Sequence, residues 1–136
     1  MEIDFSVSEL EVLSAALTRL KFEDPPSEPF FGSHYFAAAH DRILRSIITA
    51  SREKGDLGRA ARWEKWRDWQ GREYERTLIF HYATALTAWP TWSDEEKVEF
   101  LRVCAAPFTP GEADLNSLRE EIDSSPQART EGEPNQ

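Results

Sequence analysis

Residues 62–76 read RWEKWRDWQGREYER, three tryptophans within seven positions and a charged or amide residue in every gap. How this stretch is placed decides the fold. It lies inside a run with helical spacing that extends from about residue 57 to 89 and is closed by Pro90. Unbroken, such a helix is on the order of 50 Å long. Gly71 sits within it at a cost of about 1 kcal/mol relative to alanine, marking a kink or a close helix contact. At about 100° per residue, Trp63, Trp66 and Trp69 fan around the helix instead of lining up. Trp63 falls in line with Tyr74, Leu78, His81, Ala85 and Trp89, and this stripe is assigned to the core. Trp66 is on its margin, and Trp69 lies off it with Arg62, Arg76 and Phe80.

Two readings of the tryptophans follow. In one, a wide apolar face is covered by several neighbouring helices, with the indole N–H groups reaching the boundary. In the other, Trp66 and Trp69, framed by Arg62, Lys65, Arg67 and Arg72, form an anchor patch for a partner protein, since Trp and Arg most often dominate interfaces.

Working outward, Leu10, Leu13, Leu17 and Leu20 predict a helix over 7–22, opened by Ser6 or Ser8. EDPPSEP (23–29) stops it and reads as an extended linker, after which Phe30 and Phe31 dock onto the bundle. Gly32-Ser33 precede a helix from about 34 to 54 with the stripe Phe36, His40, Ile43, Leu44 and Ile47, ended by Gly55-Asp56. Beyond Pro90, the capping box Ser93-Asp94-Glu95-Glu96 opens a helix through Phe100, Leu101 and Cys104. Thr109-Pro110-Gly111-Glu112 opens a last short one carrying Leu115, Leu118 and Ile122. No period-two strand pattern and no repeat occurs. The prediction is an all-α, single-domain bundle of four to five helices over residues 1–123. Its centre is an antiparallel hairpin of the 34–54 and 57–89 helices. Residues 124–136 are too poor in apolar side chains to repay ordering and read as a disordered polar tail.

The chain has 136 residues, a single cysteine and a net charge of −9. One domain of this size buries about two-thirds of its unfolded surface and needs neither disulfide nor metal. A lone thiol suits a reducing compartment, MEIDFSV has no secretory character, and no apolar run approaches the roughly 20 residues of a membrane span. The expectation is a cytoplasmic protein with no membrane contact. The charge argues against nucleic acid as a partner, because phosphate is bound largely by Lys and Arg. Residues 1–31 hold seven acids and two bases, and residues 93–136 hold eleven acids and four bases. Only 52–76 leans basic, with eight bases and six acids.

Candidates for chemistry are few. No E-x-x-H, H-x-x-x-H, C-x-x-C, G-x-S-x-G or phosphate-loop spacing occurs, so no catalytic residue, metal ligand or cofactor is assigned. A hairpin about Gly55 sets His40 opposite Gly71, far from His81, and brings His34 opposite Thr77, one turn from His81. His40 and His81, each on an apolar stripe, read as core histidines. Cys104 reads as packing. The function expected is a small acidic protein-binding factor of inhibitor, adaptor, immunity or assembly-chaperone type. Trp66 and Trp69 are its anchors, Arg62 and Arg67 pair with acids on the partner, and a homodimer through the same patch is open. Alternatives are a nucleic-acid mimic that uses the acidic ends and a small metal-dependent enzyme built on His34 and His81.

Overall fold

The computed structural model describes residues 3–126. These form seven α-helices and one 3-10 turn, with no strand among the described residues. The helices are α1 (Val7–Lys21), α2 (Glu28–Phe31), α3 (His34–Glu53), α4 (Leu57–Trp66), α5 (Glu73–Thr84), α6 (Asp94–Ala105) and α7 (Glu112–Asp123); the 3-10 turn is Trp89–Thr91. Among the described residues no helix is long and apolar enough to cross a membrane.

The start signals act as written. Ser6 with Glu9 and Ser93 with Glu96 make reciprocal capping boxes. Ser33 and Asp56 accept from the backbone N–H of Phe36 and Arg59. At α7 the device differs: Gly111 has no side chain, and Asp114 accepts its N–H at 3.1 Å. Ser124 caps the end of α7 and Ser125 is buried. Residues 127–136 of the tail expected at 124–136 lie outside the described residues.

The helix count exceeds the expected four to five for two reasons. Phe30 and Phe31 belong to the one-turn α2, which buries Phe31 completely. And the run from 57 to 89 is not one helix. It stops at Trp66, turns through Gly71 at φ 82°, and restarts at Glu73. Thr109 N donates to the Arg67 carbonyl at 2.9 Å and Arg67 Nε to the Pro107 carbonyl at 2.9 Å, so the turn is pinned to the loop after α6. Glycine is required there because a positive φ is costly for any residue with a Cβ.

The break has a packing cause. α4 lies on α3, tied by Arg52–Glu64 and Arg67–Asp41, both at 2.6 Å. α5 instead packs with α6 and α7. One cluster gathers Val7, Leu44 and Ile47. The other gathers Phe22, Phe31, Ile79, Trp89, Leu101, Leu115, Leu118 and Ile122 among others. A straight rod does not serve both clusters, and the burial gained at each outweighs the few helical hydrogen bonds lost at the turn.

Candidate functional site

The tryptophan segment is the joint between the two clusters. Trp63 Nε1 donates to the Glu11 carboxylate at 2.7 Å, and Arg59 pairs with the same carboxylate, which holds Glu11 below its usual range. Trp66 packs against both clusters, meeting Trp63 edge-on at 5.3 Å and Phe108 at 4.9 Å. The Arg72 guanidinium lies 4.0 Å from the Phe108 ring centroid and 5.4 Å from that of Trp66, and donates to the Trp66 carbonyl. Trp69 is half-buried against the larger cluster. Arg67 is spent on Asp41 and the Pro107 carbonyl, with its side chain 15% exposed. Of the four residues expected to meet a partner, Arg62 alone is exposed; Trp66, Trp69 and Arg67 are engaged within the chain.

A second polar group lies inside the fold, and nothing in the sequence announces its cation. Lys21 is fully buried, and its Nζ donates to the Val103 and Ala106 carbonyls, both at 2.6 Å, at the C-terminal end of α6. A cation suits that end of a helix, but burial lowers the ammonium pKa to about 8. His40 is also fully buried, with Nε2 2.8 Å from the Ser14 hydroxyl. It is the core histidine expected, with a serine hydroxyl as its partner. Burial first, then the charges of Lys21 and Arg67, lower its pKa to about 4. Cys104 is enclosed beside them, its thiol pushed up to about 12 by burial. None of the three reaches solvent.

The open site is on the other side of α5. Tyr74, Thr77, Leu78, His81, Tyr82 and Ala85 recur at helical spacing along one face, and with Leu86 they form the wall of a cavity of about 530 Å³. The facing wall is Asp24, Pro25, Pro26 and Glu28. Tyr74 Oη donates to the Phe22 carbonyl at 2.7 Å, at the root of the proline segment. Behind the wall, the buried Phe31 packs against Tyr82 at 4.8 Å and Phe22 at 6.0 Å. Tyr82 also stacks on Phe100, and burial and the nearby Glu28 carboxylate raise its phenol pKa.

This wall is the stripe that the sequence assigned to the core. Leu78 and Trp89 are indeed buried, but Tyr74 is 54% exposed, and His81 and Ala85 are exposed as well. The residues α5 buries most deeply are Ile79 and Ala83. The core assignment carries the phase of Trp63 through residues 67–72, and the turn at Gly71 resets that phase. His81 is therefore a groove residue and not a core histidine.

His34 and His81 do not meet. His34 lines a different cavity, of about 600 Å³, with Asp41, Arg67, Glu99 and Arg102. There the charges satisfy one another, Arg67 with Asp41 and Arg102 with Glu99. The expected one-turn separation assumed a single long partner helix for α3, which the break removes. Among the described residues no group of three His, Cys, Asp or Glu side chains is arranged to hold a metal ion.

The chain matches no protein-family model, no curated protein and no solved structure.

Proposed function

We propose that this chain is a protein-binding factor whose recognition surface is the groove between residues 24–28 and α5. The observation that carries the reading is the α5 stripe of Tyr74, Leu78, Tyr82 and Ala85, which lines a groove and of which Tyr74 and Ala85 are exposed. Open apolar surface of this kind, rimmed by polar groups, marks interaction sites. The volume falls within the roughly 300–1,000 Å³ of ligand clefts, and its trough shape suits side chains presented by a peptide segment. Prolines on the facing wall restrict the backbone, so little ordering entropy is lost when the groove fills. In this reading Trp66, Trp69 and Arg67 set the direction of α5 and do not touch the partner.

Peptides selected from a random displayed library on the full chain test the reading. Thr77→Arg places a long side chain in the groove from an exposed helical position and is expected to weaken their binding at least about tenfold. Trp69→Ala in folded protein is expected to leave it unchanged. The reverse pattern would return the recognition surface to Trp66, Trp69, Arg62 and Arg67.

A further inference from the structure

We infer that the group this groove takes from its partner is a lysine or arginine side chain. The inference rests on the reading of the groove as the recognition surface and adds its chemistry. Asp24 and Glu28 line the groove, and no lysine or arginine does. Neither carboxylate has an ion-pair partner among the described residues, whereas Asp41, Glu99, Glu112 and Asp123 all do. In the 600 Å³ cavity beside α3, acids and bases cancel. The groove by α5 is thus a mostly apolar trough with two uncompensated negative charges on one wall.

That combination fits a cation on an apolar stem. Leu78, Leu86 and Pro26 offer surface along which the methylenes of Lys or Arg pack. Tyr74 and Tyr82 are aromatic neighbours that attract a cation through the ring quadrupole. The Tyr74 hydroxyl gives its proton to the Phe22 carbonyl, so its oxygen retains acceptor lone pairs. An anionic group would face two carboxylates, and a wholly apolar one would leave them without a counter-charge. The net charge of −9 adds long-range attraction for a basic partner.

The test uses peptides that Thr77→Arg displaces, which identifies them as groove-bound. Their basic residue is exchanged for norleucine, and both versions are titrated against wild type and against the Asp24→Asn/Glu28→Gln double variant. The expected result is a loss of about tenfold on norleucine exchange in wild type, and no such difference in the double variant. Groove-bound peptides without a basic residue, or a preference for the base that survives in the double variant, would overturn the inference and leave the groove reading standing. Peptides indifferent to Thr77→Arg would overturn the groove reading itself. n-Butylammonium binding the groove as tightly as the peptides would make a small amine, not a partner protein, its occupant.

Discussion

Between α5, α6 and α7 the enclosed apolar side chains include Ile79, Leu101, Leu115, Leu118 and Ile122, and the buried polar ones, Thr84 and Lys97, are hydrogen-bonded. There Asp123 accepts from Trp89 Nε1, Lys97 and Arg119. Between α1, α3 and α4 the enclosed set is Val7, Leu44 and Ile47, together with Ser14, His40 and Ser51. His40 Nδ1 and Ser51 Oγ have no hydrogen-bond partner among the described residues. The first half is mainly apolar and the second has a polar centre, with the buried Lys21 reaching from α1 to the end of α6. An apolar core tolerates change if volume is kept, whereas a buried polar pair costs little while satisfied and much when one partner is altered. The two halves therefore respond to different perturbations, and residues that belong to both respond to either.

The largest effect is expected at the joint. Trp66→Ala removes the side chain shared by the two clusters and should cost about 3–5 kcal/mol. It should also split urea unfolding into two transitions, followed by circular dichroism and tryptophan fluorescence. A single transition with a loss below about 1 kcal/mol would mean that the halves are coupled elsewhere.

Acid should separate the halves next. In the folded chain burial keeps His40 neutral down to about pH 4, while in the unfolded chain it takes up a proton below about 6.5. Its contribution is complete above pH 6.5 and is lost as the pH falls, by up to about 2 kcal/mol at pH 5. Asp41, Asp123, Glu11 and Glu121, held low by their cationic partners, lose their contribution only at more acid pH, as the pH falls through their own range. Denaturant titrations between pH 7 and 5 should show this slope in wild type and not in His40→Leu. A slope unchanged in His40→Leu would count against the polar centre as the acid-sensitive half.

The smallest effect is at the turn. A Cβ at residue 71 would meet nothing, so Gly71→Ala tests the backbone alone and should cost about 1 kcal/mol. A higher melting temperature would mean that residues 67–72 adopt helix when glycine is absent.

Much of the architecture was legible before any coordinates. The stripes of α6 and α7, the caps at Ser6, Ser33, Asp56 and Ser93, and the burial of Cys104 all follow from local spacing. The break at Gly71 did not, because glycine inside a helix costs only about 1 kcal/mol and tertiary packing decides whether the helix continues. Gly71 marks a kink or a close contact in the sequence, but only the full break resets the phase of α5 and moves the stripe Tyr74–Leu78–His81–Ala85 from the core to the groove. Lys21 was illegible for another reason: the carbonyls that receive its ammonium lie 82 and 85 residues away in the chain.

Cys104 gives the molecule a built-in reporter. It is the single thiol of the chain, wholly enclosed on α6 near the buried Lys21, with a pKa too high to supply thiolate at neutral pH. A thiol-reactive dye can modify it only when the packing around α6 opens, so the labelling rate clocks the separation of α6 from its neighbours, Lys21 of α1 among them. A cysteine introduced at an exposed position would label at once, leaving the native thiol dark as an internal control in the same molecule.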